Sequence, residues 1–148
     1  MKDPRAFYEL DWRKLEEIVA GAYKRKNFDV TLKPRSGDEG RDVIAVRHDV
    51  GSIRFFDQVK RYRPGHVVTL EEVHAMIGVL NCDRNVSKGI VTTTSKFAPG
   101  LEKAKGIKEL IPYWLELKDR DKLPLWLESL LPRASWGGGW GQHCTRIA

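Results

Sequence analysis

Gly40-Arg41-Asp42-Val43-Ile44-Ala45-Val46 and Ile53-Arg54-Phe55-Phe56-Asp57-Gln58-Val59-Lys60 are two apolar runs joined by His48-Asp49-Val50-Gly51-Ser52. Their aliphatic and aromatic content reads as a pair of strands, and the Asp and Gly between them suit a hairpin loop. Side chains alternate along a strand. Phe56, Gln58 and Lys60 therefore share one face of the second strand, while Phe55, Asp57 and Val59 share the other. Asp42, Ile44 and Val46 share a face of the first strand. If Asp42 stands opposite Gln58, a carboxylate, an amide oxygen and an ammonium converge, with the Val59 carbonyl between the last two. Asp57 points away from Lys60 unless a bulge intervenes, and is left out of the site.

This grouping suits a divalent cation beside an activated water, the chemistry of phosphodiester hydrolysis. Mg²⁺ prefers oxygen ligands and keeps several waters, acts as a Lewis acid and lowers the pKa of bound water. Asp42, the Gln58 side-chain oxygen and the Val59 carbonyl are the expected ligands, with Mn²⁺ an expected substitute. Lys60 would orient the attacking water or hold the scissile phosphate as a point charge. Glu16 or Glu17, on a helix nearer the start, could reach the cation through water, and Glu16 is preferred because it borders the apolar stripe. Each of these residues alone reads as an ordinary turn, surface or helix residue. Their order and spacing together carry the reading.

Around this hairpin the chain has the size of one domain. Its 148 residues, 41% hydrophobic and 31% charged, fit a globular protein rather than a disordered one. Lysine and arginine total 26 against 20 acids, a net charge of +6 that favours a polyanionic partner. The two cysteines, Cys82 and Cys144, form neither a disulfide framework nor a metal motif. The first residues carry no apolar run and no segment is long enough to span a bilayer, so a cytoplasmic protein is expected.

Asp11 to Lys24 predicts the first helix, N-capped by Asp11, with Trp12, Leu15, Ile18, Val19, Ala22 and Tyr23 on one stripe and Asn27 at its end. Phe28 to Leu32 alternates as a strand, and a turn-rich loop from Pro34 to Gly40 leads to the hairpin. Leu70 to Leu80 predicts a helix with a capping box of Thr69 and Glu72. Ser87 to Thr94 and Ile111 to Leu117 read as strands, and Pro99 to Lys108 and Leu123 to Leu131 as short helices. The order implies an α/β/α sandwich with a mixed central sheet over residues 1–131. Residues 132–148, containing Trp136-Gly137-Gly138-Gly139-Trp140-Gly141, read as a flexible tail.

The order helix-Glu, strand-Asp, then Gln-x-Lys resembles the PD-(D/E)xK nuclease superfamily, and within it the Mrr-like catalytic domain of type IV restriction endonucleases. Leu10 to Glu16 is similar to that family's opening helix. Ser36 to Ile44 is similar to its Gly-rich approach to an aspartate, Gln58-Val59-Lys60-Arg61-Tyr62 to its Gln-x-Lys-Arg-Tyr stretch, and Gly89 to Phe97 to its later strand. The resemblance implies a restriction-endonuclease-like fold, Mg²⁺ dependence and cleavage of DNA, often modified DNA. It implies Asp42, Gln58 and Lys60 as the catalytic set with Glu16 in support. Gln58 replaces the superfamily's usual second acid, as in Mrr-like members, which removes one negative charge and weakens metal affinity.

Arg61, Arg63, His66, Lys88 and Lys96 are expected to flank the cleft, with Lys33 and Arg35 as its opposite lip, contacting the phosphate backbone without reading sequence. Tyr62 is expected to pack rather than stack on a base. A double-strand cutter needs two sites related by a twofold axis, so a homodimer is expected, through the Leu70–Leu80 helix or the tail. A separate DNA-targeting protein is a further expected partner. Two alternatives remain: a non-catalytic DNA-binding module on the same fold, and a junction resolvase or repair nuclease.

Overall fold

The computed structural model describes residues 9–34 and 42–130. The elements run α1 (Trp12–Arg25), β1 (Asp29–Leu32), β2 (Val43–His48), β3 (Ser52–Lys60), α2 (Leu70–Cys82), β4 (Lys88–Thr93), a 3₁₀ turn (Leu101–Lys103), β5 (Leu115–Lys118) and α3 (Lys122–Glu128). The five strands form one mixed sheet in sequence order. β1, β2 and β3 pair antiparallel, whereas β3, β4 and β5 pair parallel, so β3 is central and α2 is the crossover between β3 and β4.

Helix α1 forms because Leu15, Val19, Ala20, Ala22 and Tyr23 recur at helical spacing, and all five are buried. Lys24 and Arg25 in its last turn suit the negative end of the helix dipole. Asn27, at φ 65°, takes the left-handed conformation that asparagine tolerates, and the chain turns into β1. Asp11 occupies the N-cap position, but its side chain makes no capping hydrogen bond. Helix α2 starts with the full capping box between Thr69 and Glu72.

Each face of the sheet has its own core. Toward α2, Ile44, Phe56, Val91, Leu115 and Leu117 pack with Val73, Met76 and Leu80. Toward α1, Val43, Ala45 and Ile90 pack with Val19, Ala20 and Tyr23, joined by Trp126 of α3. Gly89 lets α2 approach β4 closely: a Cβ there would lie 2.8 Å from Leu80 Cδ1 and 2.9 Å from Met76 Sδ.

The structure shifts several expected boundaries. Residues 99–108 form no helix beyond the 3₁₀ turn, because Gly100 and Gly106 both adopt positive φ, at 75° and 85°. The last strand begins at Leu115 rather than Ile111, since a run of turns carries the chain through Pro112, which has no N–H for a ladder. Asp42 stands just before β2 rather than inside it. Among the described residues no helix is long and apolar enough to cross a membrane. Arg35, the Gly40–Arg41 approach and the 132–148 tail lie outside the described residues.

Candidate active site

The site lies where β3 ends. The register pairs Val43 with Asp57 and Ile44 with Phe56, so one further step places Asp42 beside Gln58. Asp42 Oδ2 accepts the backbone N–H of Val59 at 2.8 Å, and the Asp42 carbonyl accepts the N–H of Lys33 at 2.9 Å. The carboxylate is thus tied to the Gln58-Val59-Lys60 segment before any ligand arrives. The Lys60 carbonyl accepts from Thr94 on the β4 side. Backbone groups of successive residues point to opposite neighbours, so the Val59 carbonyl faces the Asp42 side.

Gln58 and Lys60 share the α2 face with Phe56, as alternation requires. Gln58 is 7% exposed, and its Oε1 has no hydrogen-bond partner. Buried polar atoms are almost always paired, and an orphaned amide oxygen next to a carboxylate is suited to ligate a divalent cation. Asp42, Gln58 Oε1 and the Val59 carbonyl are all oxygen donors, the class that Mg²⁺ and Mn²⁺ take. Among the described residues no three His, Cys, Asp or Glu side chains form a cage. A site here would therefore rest on one carboxylate and neutral oxygens, consistent with an ion that keeps several waters.

Lys60 Nζ lies 3.6 Å from Glu72 Oε1, at the N-terminus of α2. Glu72 also accepts the Tyr62 hydroxyl, the Thr69 N–H at 2.7 Å and the Thr69 hydroxyl at 3.2 Å. Burial works to raise its pKa, but the Tyr62 hydroxyl, the Thr69 amide and the Lys60 ammonium outweigh it and hold the carboxyl below its ordinary range. Burial and the same carboxylate push the Tyr62 phenol up. Tyr62 packs against the α2-side core and meets His66 edge-on at 4.3 Å between ring centroids. The backbone of Tyr62 is clamped by Thr94, whose hydroxyl accepts its N–H at 2.9 Å and donates to its carbonyl at 2.8 Å.

Glu16 comes from the other face. It is 3% exposed on α1 and pairs with Arg13 at 2.9 Å; the Arg13 guanidinium also donates to the Lys33 carbonyl at 2.9 Å. Through Lys33, Glu16 is fixed at the Asp42 end of the sheet, about 10 Å along α1 from Tyr23. Glu17 is half-exposed and pairs with Lys14 at 3.7 Å.

Asp57 faces α1, away from Lys60, so no bulge alters the alternation. It is fully buried and accepts the Tyr23 hydroxyl at 2.7 Å. Burial, with a smaller contribution from the Asp42 charge, pushes its carboxyl up to about 6 against the opposing pull of Lys118, Tyr23 and Thr92. Lys118 is 4% exposed; burial pushes its ammonium down while Asp57 and Glu116 counteract. Its Nζ sits 3.4 Å from the Trp126 ring centroid.

Arg61, Arg63 and Lys96 are exposed near the C-terminal ends of β3 and β4, and Lys33 is half-buried beside Asp42. Lys88 does not flank this cleft. It opens β4, paired with Phe55 near the middle of β3 and roughly 16 Å along β4 from Thr93, and bridges to Glu116 at 3.7 Å. Sequence reading missed Arg13, Thr94, the contacts of Glu72 with Lys60 and Tyr62, and the Tyr23–Asp57–Lys118 group. Of these only Glu72 gave a signal, a capping motif that accounts for its Oε2 but not for its Oε1.

A family model described as restriction endonuclease (Mrr_cat) matches residues 7–127. Among solved structures, the chain is similar to the MspJI restriction endonuclease in complex with a 27-mer oligonucleotide, with a TM-score of 0.59 and 18% identity over 97% of this chain and 33% of that one. It is also similar to the DNA modification-dependent restriction endonuclease AspBHI, with a TM-score of 0.52 and 18% identity over 86% of this chain and 39% of that one. AF1548, a protein of unknown function, gives a TM-score of 0.59 and 15% identity over 93% of this chain and 78% of that one. At these identities the likeness establishes the fold. The uncharacterized protein y4cE of Sinorhizobium fredii (strain NBRC 101917 / NGR234) is 31% identical over 80 residues, 53% of this chain. The chain spans only 20% of that relative's length.

Proposed function

We propose, from the premise that the chain belongs to the Mrr-type restriction endonuclease family, that it is a Mg²⁺-dependent endonuclease hydrolysing phosphodiester bonds in modified DNA. The observation that carries this is the buried, unpartnered Gln58 oxygen beside Asp42, with Lys60 on the same face. The family uses divalent metals, and these residues fit one. AspBHI, whose fold this chain shares, is described as DNA modification-dependent, which supports modified DNA as the substrate.

Asp42, Gln58 and the Val59 carbonyl would hold the ion, with Mn²⁺ as a substitute. When bound it supplies Lewis acidity and neutralises charge that develops on the phosphate. Asp42 brings the one formal negative charge among these ligands, and its bond to Val59 N–H keeps the two strand ends together. Lys60 places its ammonium on the same face, where it orients the attacking water or takes up charge on the scissile phosphate. Glu16, held by Arg13, supports the site from the α1 side through water. Arg61, Arg63, Lys96, Lys33 and Arg35 contact the DNA backbone. Cutting both strands would use two copies related by a twofold axis, so sedimentation with DNA should show a dimer. Specificity would come from a separate DNA-targeting partner.

Lys60→Ala tests the reading. Cleavage of methylated plasmid should fall by roughly 10²–10³-fold, the loss typical of a transition-state charge partner. Affinity for the same DNA in a gel shift should change less than about threefold, because several other basic residues remain to neutralise phosphates. Wild-type cutting by the variant would remove Lys60 from the site. Salt-sensitive binding by the wild type with no metal-dependent product would make the chain a DNA-binding module, the reading that Gln58 in place of an acid favours.

A further inference from the structure

We propose that Glu72 is a positioning residue for the Lys60 ammonium, a role distinct from its helix cap. The proposal rests on the nuclease reading of Lys60. The two carboxylate oxygens do different work. Oε2 takes the Thr69 N–H and hydroxyl and closes the capping box. Oε1 takes the Tyr62 hydroxyl and faces Lys60 Nζ at 3.6 Å. The cap alone would need only one oxygen.

The carboxylate is anchored on two independent sides. The N-terminal turn of α2 fixes it from one direction. Tyr62 fixes it from the other, and Tyr62 is itself held through both backbone groups by Thr94 of the segment leaving β4. Lysine has a flexible four-carbon stem that loses rotamer freedom when its tip is held. Around Lys60 the rigid partner comes from α2, and the two side chains are only 20% and 24% exposed, so the pair is partly shielded from solvent. The geometry fixes where the ammonium rests before DNA enters and reduces the reorganisation needed at the scissile phosphate.

Glu72→Gln separates the two roles. Glutamine at this position still completes a capping box, so the fold should survive. Its amide cannot hold an ammonium on the face where the carboxylate charge stood. The full chain would be compared as wild type, Lys60→Ala, Glu72→Gln and Tyr62→Phe, on methylated and unmethylated plasmid with Mg²⁺, alongside thermal melting. Glu72→Gln should lower kcat by about 10-fold with KM for DNA within about twofold and the melting temperature nearly unchanged. Tyr62→Phe leaves the capping box intact and removes one anchor, so its kcat should fall by a few-fold, also at constant KM.

Wild-type or faster cutting by Glu72→Gln would overturn the proposal; faster cutting would mean the pair restrains Lys60. If Glu72→Gln melts early, Tyr62→Phe decides: an unchanged kcat in that variant overturns the proposal and a reduced kcat at constant KM sustains it. Wild-type cutting that is lost in Lys60→Ala but intact in Glu72→Gln overturns this inference alone. A wild type that does not cut overturns the nuclease reading and this inference with it.

Discussion

Asp57→Ala is expected to lower the free energy of unfolding by about 3–5 kcal/mol, the combined result of leaving the buried Tyr23 hydroxyl without its acceptor, opening a cavity in a packed interior and taking a counter-charge from buried Lys118. For a domain of this size that corresponds to a fall in melting temperature of roughly 10–20 °C. Asp57 is fully buried on central strand β3, accepts the Tyr23 hydroxyl at 2.7 Å, and is the principal counter-charge to buried Lys118. Without it, the Tyr23 hydroxyl loses its acceptor and Lys118 keeps the Trp126 and Tyr23 ring faces and Glu116 for compensation. Denaturant melts of the two proteins measure the difference; a loss under 1 kcal/mol would mean that Lys118 reaches solvent.

The same residue sets a pH dependence in metal-free protein. Burial raises the Asp57 carboxyl from 3.8 to about 6, so the folded state binds this proton more tightly than the unfolded chain. The penalty for burying the ionised form is absent below pH ~4, grows between ~4 and ~6, and is complete above ~6. Relative to Asp57→Ala, wild type should therefore be more stable at pH 4 than at pH 7, by roughly 2–3 kcal/mol. Glu72 works in the opposite sense. Its carboxyl is held below its ordinary value, so its contribution is present above the unfolded pKa and lost as pH falls through the folded one. Comparing wild type with Asp57→Ala across pH cancels the Glu72 contribution and isolates Asp57.

The second large effect is on chemistry. Asp42→Asn should reduce cleavage by roughly 10²–10³-fold and abolish saturable Mn²⁺ binding in isothermal titration. The substitution keeps an oxygen to accept the Val59 N–H, so β2 and β3 should stay joined at their ends. It removes the only formal negative charge among the proposed ligands, and Gln58 cannot replace it. Melting within a few degrees of wild type would show that the loss is local. Retained Mn²⁺ binding would move the cation away from Asp42.

The hairpin was legible in the sequence because its loop has turn residues and its two runs alternate. Once hairpin and alternation are known, the faces of Asp42, Gln58, Lys60 and Asp57 follow. The capping box of α2 was legible for the same local reason. The missing helix at 99–108 was not, because two glycines with positive φ override a composition that otherwise suits helix. Position along the sheet was equally hidden. Lys88 lies on the strand beside β3, but parallel pairing puts it at the far end from Lys60. The charge interaction of Asp57 with Lys118 joins β3 to β5 across β4, a tertiary relation that no local pattern encodes. Glu72 was half legible: its motif named one oxygen's partner, and only packing of α2 against Tyr62 and Lys60 reveals the other's.

The most direct test of the central claim is nicking and linearisation of supercoiled plasmid by the full chain with Mg²⁺, Mn²⁺ or EDTA, on methylated and unmethylated DNA, with Lys60→Ala alongside. The account predicts cutting of the methylated plasmid with either metal, none with EDTA and at most a trace with the variant. Cutting that persists in EDTA, or that Lys60→Ala performs at the wild-type rate, would contradict it.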